Sequence, residues 1–125
     1  MISMSRKLLI IEDETFIAKL YKEEMERHGV EITIAADGQE GVQCLQDEHF
    51  DLILLDLLMP VMDGYGVLEY VKKQKKRIPV VVITNLSEYT TGEKCRALGA
   101  QECLCKSDVD AAGVWEKVKH LLPAE

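Results

Sequence analysis

The sequence of 125 residues holds no long hydrophobic run, and its apolar stretches fall far short of the roughly 20 residues that a membrane-spanning helix needs. The N-terminal stretch MISMSRKLLIIEDE lacks a signal-peptide pattern, because its apolar segment is short and acidic residues follow at once. A cytoplasmic protein is the expectation. None of the four cysteines (Cys44, Cys95, Cys103 and Cys105) belongs to a C-x-x-C pair, and no nearby histidine completes a zinc pattern. They are expected as reduced thiols serving as small apolar residues. Basic charge is also scarce. A formal net charge of −7 argues against direct nucleic-acid binding, which needs a basic face. The one basic cluster, KKQKKR at 72–77, reads as a solvated helix C-terminus favoured by the helix dipole. No linker or low-complexity stretch interrupts the chain. At 47% hydrophobic and 30% charged residues, it fits a single globular domain over 1–125, with a core of about 6–122.

What is present is an alternation of strand-like and helix-like segments. KLLII (7–11), DLILL (51–55) and PVVVIT (79–84) are continuous apolar runs, while VEITIA (30–35) and QECLC (101–105) alternate apolar with polar. Between them lie helical patterns. ETFIAKLYKEEMERHG (14–29) carries Ile17, Leu20, Tyr21 and Met25 on one face, and Gly29 is its stop. DGQEGVQCLQDE (37–48) opens with Asp37 and Glu40 at capping-box spacing. DGYGVLEYVKKQ (63–74) has Asp63 as its cap and Val67, Leu68 and Val71 as its buried face. SEYTTGEKCRALG (87–99) is a weak helix, because Thr90, Thr91 and Gly92 have poor propensity, and Gly99 ends it. DAAGVWEKVKHLLP (110–123) buries Ala111, Val114, Trp115, Val118, Leu121 and Leu122.

Five successive βα units imply an α/β fold, a doubly wound parallel sheet covered by helices on both faces. The continuously apolar strands belong in the centre and the alternating ones at the edges, which the order 2-1-3-4-5 satisfies. The C-terminal strand ends then share one edge, and ligands bind in the crevice where the winding reverses. Glu12, Asp13 and Asp56 converge there, with Thr84 and Lys106 alongside. Taken singly, Asp56 reads as a strand end or cap, Glu12-Asp13 as helix capping, and Lys106 as a solvated charge. Together they make a different case. Clustered carboxylates repel unless a cation is shared, and an all-oxygen set suits a hard ion such as Mg²⁺. A lysine and a threonine hydroxyl suit phosphate oxygens. A carboxylate can itself accept a phosphoryl group as an acyl phosphate.

With IIEDE, DLLMPVMDG from Asp56 to Gly64, Thr84 after an apolar strand and Lys106 after the last one, the chain resembles receiver domains of two-component response regulators. The resemblance covers nearly the whole length and is of the stand-alone single-domain type. It implies the flavodoxin-like fold, and it implies roles residue by residue. Asp56 is the phosphoacceptor, served by a histidine kinase or phosphotransfer protein. The Mg²⁺ (or another divalent cation) is held by Asp13, by Asp56, by the Leu58 backbone carbonyl, and by Glu12 through water. Thr84 and Lys106 bind the acyl phosphate. The Met59-Pro60 turn and Gly64 shape the loop into the third helix. The chain would be no enzyme beyond its own phosphorylation and dephosphorylation, and would signal to an unknown protein target without a membrane or nucleic acid.

Three positions depart from the family pattern. Cys103 replaces the aromatic residue expected three positions before the lysine, Ser107 the proline after it, and Asn85 the small residue after the threonine. Cys103 is too small to act as an aromatic rotor. A non-proline cis bond costs about 2.5–4 kcal/mol, so the Lys106–Ser107 bond is expected trans. Asn85 is expected to crowd the site mouth and slow phosphate entry or loss. Three function classes stay open: a phosphorylatable receiver, a pseudo-receiver binding partners without phosphate, and a metal-dependent phosphatase with an aspartyl intermediate. The last is disfavoured by Leu58 where a second acid is needed and by the lack of length for a cap domain. His28, His49 and His120 read as surface residues, Trp115 as packing, and Met59 and Met62 as loop packing.

Overall fold

Alternate residues of the three central strands face opposite ways, and that alternation builds the molecule. The computed structural model describes residues 5–59, 61–74, 77–85 and 89–124. In chain order these form β1 (Arg6–Ile11), α1 (Thr15–Glu26), β2 (Val30–Ala35), α2 (Gly38–Asp47), β3 (Leu52–Leu55), α3 (Gly64–Lys73), β4 (Val80–Thr84), α4 (Tyr89–Ala97), β5 (Glu102–Cys105) and α5 (Ala111–Val118), with a final 3-10 turn at Lys119–Leu121. The sheet is fully parallel in the order β2-β1-β3-β4-β5, as the apolar patterns require.

Leu8, Ile10, Leu52, Leu54, Val81 and Ile83 face α1 and α5, where they meet Ala18, Tyr21, Met25, Val114, Trp115 and Val118. Leu9, Ile11, Ile53, Leu55, Val80 and Val82 face α2, α3 and α4, where they meet Leu45, Val67, Leu68, Val71 and Cys95. Strands buried on both sides need continuous apolar sequence, which is why β1, β3 and β4 lack alternation. β2 and β5 are partly exposed edges.

The caps explain where the helices begin. Asp37, Asp63 and Asp110 accept hydrogen bonds from the backbone amides of Glu40, Gly66 and Gly113 at 2.8, 3.1 and 2.8 Å. The Asp37–Glu40 box is only half of the expected form, since the Glu40 carboxylate accepts from the Ala36 amide at 3.4 Å rather than reaching Asp37. Gly29 and Gly99 hold positive φ angles of 79° and 103° and end α1 and α4 as expected.

Two readings need correction. Leu20, assigned to the buried face of α1, is 43% exposed, because the arc turned to the sheet is the one carrying Ala18, Tyr21 and Met25. His28 is not a simple surface residue. Its ring stacks on Trp115 with centroids 4.4 Å apart and meets Glu24 at 3.0 Å. Residues 75–76 of the basic cluster, Pro60 of the Met-Pro turn and the start of the fourth helix at 87–88 lie outside the described residues. No helix among the described residues is long and apolar enough to cross a membrane.

Candidate functional site

The polar residues that end the strands gather on one edge of the sheet. β1 and β3 pair through Ile11 and Leu55, so Glu12 and Asp56 emerge side by side. The Asp56 amide donates to the Ile11 carbonyl at 3.0 Å, and the Glu12 amide donates to the Ala35 carbonyl at 3.0 Å. Across β4, Thr84 pairs with Cys105, and the Lys106 amide donates to the Thr84 carbonyl at 2.9 Å. Backbone pairing therefore fixes where every one of these side chains starts.

The side chains then meet. The Lys106 ammonium lies 2.9 Å from Glu12 Oε2 and 3.3 Å from Asp56 Oδ2, with Glu14 Oε1 at 3.7 Å. Glu12, Asp56 and Thr84 are buried, at 3%, 4% and 0% exposure. Asp13 is exposed and completes the group: Glu12, Asp13 and Asp56 each bring a carboxylate oxygen within 4.8 Å of the others. The Leu58 amide donates to Asp56 Oδ1 at 3.4 Å, while its side chain is exposed.

These charges are out of balance. Burial pushes the Glu12 carboxyl up to about 7, against the opposing bond from Lys106 and with added repulsion from Asp56. Burial likewise raises Asp56, again opposed by Lys106, while Asp13 repels it. On Lys106 burial works to lower the pKa, but its bonds and charges with Glu12 and Asp56 prevail and the result is a raised value. One ammonium thus faces two buried carboxylates and two more acidic side chains at the rim. An oxygen-only cluster with surplus negative charge and one solvent-facing member fits a hard divalent cation that keeps some of its waters.

The sequence missed one member. Glu14 stands at the N-cap of α1 without capping it, and its carboxylate turns toward Lys106. The available signal was the third acid of the IIEDE run. Of the three departures, Asn85 is exposed beside Thr84, and the Ser107 hydroxyl lies 3.1 Å from Cys105 Sγ. No cis peptide occurs among the described residues. Cys103 is not in the site; it packs with the cluster under α4.

The loop from β3 to α3 is held by close backbone contact. The Gly64 amide donates to the Leu57 carbonyl at 3.0 Å. A Cβ at Gly64 would lie 2.5 Å from the Asp56 carbonyl oxygen and 2.7 Å from the Leu57 Cα. Gly64→Ala is therefore expected to lower stability by about 2 kcal/mol and displace Asp56, which a urea midpoint would register. Val61, in the same loop, adopts φ 71° with its side chain 74% exposed. A β-branched residue is strained there. Val61→Asn is expected to raise the urea-unfolding free energy by about 1 kcal/mol, because asparagine tolerates this conformation.

A doubly wound α/β protein with an acidic, lysine-bridged crevice at its winding reversal is what the fold and site define. Comparison with known proteins agrees: the family model for the response regulator receiver domain matches residues 8–116. The chain belongs to the receiver-domain family of two-component response regulators. Among curated proteins it is 34% identical over 101 residues to the probable transcriptional regulator ycf27 of Cyanophora paradoxa, covering 81% of this chain and 42% of that one. It is 32% identical over 103 residues to the alkaline phosphatase synthesis transcriptional regulatory protein PhoP of Bacillus subtilis, covering 82% of this chain and 43% of that one. The chain thus spans less than half the length of these relatives. Among solved structures, a CheY-like receiver domain protein from Methanospirillum hungatei superposes with a TM-score of 0.87 at 28% identity, covering 94% of this chain and 93% of that one. The Thermotoga maritima response regulator TrrA, in complex with Mg²⁺-BeF, superposes at 0.82 with 33% identity, covering 93% and 98%.

Proposed function

We propose that this chain accepts a phosphoryl group on Asp56 from a histidine kinase or phosphotransfer protein and passes the signal through protein contacts. The observation that carries this reading is the Lys106 ammonium bridging Glu12 and Asp56, with Asp13 completing a carboxylate cluster. A carboxylate oxygen of Asp56 attacks phosphorus, the bond from phosphorus to the donor imidazole breaks, and the imidazole leaves with a proton. The Leu58 amide already points at Asp56 Oδ1 and orients the attacking carboxylate. Lys106 balances charge on the transferred oxygens, and the Thr84 hydroxyl, from the adjacent strand end, joins it. Asp13, Asp56 and the Leu58 carbonyl would hold Mg²⁺, with Glu12 acting through water. When bound, the ion neutralises the phosphoryl oxygens.

In this reading the chain works in the cytoplasm and catalyses no reaction beyond its own phosphorylation and dephosphorylation. The relatives are named as transcriptional regulators, but an acidic chain of net charge −7 supports protein rather than nucleic-acid contacts. The surface proposed to carry the signal is α4, β5 and α5. α4 is the natural mover, since TTG in its first turns disfavours helix. Beryllofluoride with Mg²⁺, a phosphoryl mimic, is expected to change hydrogen exchange across 89–97. Identical exchange with and without the mimic would sink this route for the signal, and failure of the mimic to bind would favour a phosphate-independent partner module.

A further inference from the structure

The position where the family pattern expects an aromatic side chain holds Cys103, and the structure gives that thiol a partner. Cys95 lies on the underside of α4, wholly buried. Cys103 lies in β5, half-buried, and both pack into the apolar cluster on the same side of the sheet. α4 packs directly against β5. The two thiols interact with each other across this α4–β5 contact. All four cysteines are free.

We propose that Cys95 and Cys103 are a reversible oxidation site, at which a peroxide-class oxidant creates a disulfide that fastens α4 to β5. Cys103 is the more accessible of the two, so the oxidant meets it first. Its thiolate sulfur attacks a peroxide oxygen, the O–O bond breaks, and Cys103 sulfenic acid and water result. The Cys95 sulfur then attacks the sulfenic sulfur, the S–O bond breaks, and a second water leaves with the Cys95 proton. Two thiols and one hydrogen peroxide thus become one disulfide and two waters.

The surroundings of the two thiols support this assignment of roles. Burial is the main influence on both thiols and raises both. The Cys95 thiol is pushed up to about 11, with the neighbouring Cys103 adding to the effect of burial. On Cys103 the neighbouring Cys95 and the Arg96 guanidinium oppose burial, which still prevails. A site of this kind reacts slowly and answers to sustained oxidant rather than to a brief pulse. Cys105 follows on the same strand, but its sulfur faces Ser107 Oγ at 3.1 Å. Cys44 sits on α2, which packs against β1, β2 and α3.

The consequence falls on the element proposed to move. A bond from Cys95 to Cys103 closes a short loop around Gly99 and removes the freedom of α4 to leave β5. Formation of the bond does not depend on phosphorylation of Asp56; its effect on signalling rests on that reading.

The test uses the whole chain treated with hydrogen peroxide, alkylated after unfolding and digested with trypsin. Cleavage after Lys94, Arg96 and Lys106 leaves Cys95 on a dipeptide and Cys103 with Cys105 on peptide 97–106. The expected product joins these two peptides, weighs two hydrogen atoms less than their sum, and separates on reduction. It persists in Cys105→Ser and in Asp56→Asn, and is absent from Cys95→Ala and Cys103→Ala. In the oxidised wild type, hydrogen exchange across 93–105 slows about tenfold, but not in Cys95→Ala. A bond within peptide 97–106, a bond using Cys44, or Cys103 oxidised past sulfenic acid while Cys95 stays alkylatable overturns the proposal. So does a Cys95–Cys103 bond that leaves exchange unchanged. Because Asp56→Asn must oxidise like the wild type, failure of the phosphoacceptor reading is seen separately.

Discussion

Asp56→Asn is expected to take up no phosphoryl group from acetyl phosphate and Mg²⁺, where the wild type is expected to gain one, and to melt at a higher temperature. The two effects share one cause. Asp56 ends a strand whose residues Leu52 to Leu55 are all buried, and its own carboxylate is only 4% exposed. Burial raises its pKa, so the ionised form is less stable in the fold than in the unfolded chain. Stability from this residue is therefore greatest at acid pH and falls as pH rises past the ordinary carboxylate range. Asparagine keeps the shape and removes the charge that Glu12 and Asp13 repel. Without divalent cation the gain should be about 1–2 kcal/mol, or roughly 3–10 °C for a domain of this size. The nucleophile is lost, so labelling falls to background. Labelling of the variant, or a lower melting temperature, would contradict this account of Asp56.

Lys106→Met has the opposite sign. The ammonium, 8% exposed, sits against Glu12 and Asp56, and methionine fills its volume without its charge. Two buried carboxylates are left facing each other with no cation between them. Breaking a buried pair in this way costs about 3 kcal/mol. The Lys106 pKa is raised in the fold, so its stabilising contribution is fully present at neutral pH and is lost only as pH rises past the ordinary lysine value. Mg²⁺ should restore part of the loss, because it supplies the missing positive charge to the same oxygens. Urea unfolding with and without Mg²⁺ measures both terms. An unchanged midpoint would mean that Lys106 does not balance the cluster. The same variant should bind beryllofluoride more weakly than the wild type, since one of the phosphate's partners is gone.

Most of this site could be read before any coordinates, for a physical reason. In a parallel sheet, every strand's C-terminal residue must lie on one edge, so IIEDE, LLD, VIT and CLCK place their polar ends together without any side-chain knowledge. The edge strands were readable because half-exposed backbone needs alternation and buried backbone does not. What escaped were contacts set by helix rotation. Ala18 and Leu20, two residues apart, point to opposite sides of α1. The rotation that seats Ala18 with Tyr21 and Met25 against the sheet turns Leu20 outward. His28 reads as polar, yet its flat ring fits the face of Trp115, which arrives from a helix far away in sequence. Glu14 looks like a helix cap until Lys106, from the other end of the chain, offers it a charge. The Cys95–Cys103 contact likewise depends on how α4 is turned above β5, which its weak amphipathic pattern does not specify.

The central claim concerns one atom group, and it can be located chemically. Wild-type protein is phosphorylated with acetyl phosphate and Mg²⁺ and reduced with borohydride, which converts an acyl-phosphorylated aspartate to homoserine. Peptide sequencing by mass spectrometry then finds the converted residue. The account predicts homoserine at position 56 alone, dependent on both phosphodonor and Mg²⁺. Conversion at Asp13, a phosphohistidine at His28, His49 or His120, or no conversion at all would contradict it.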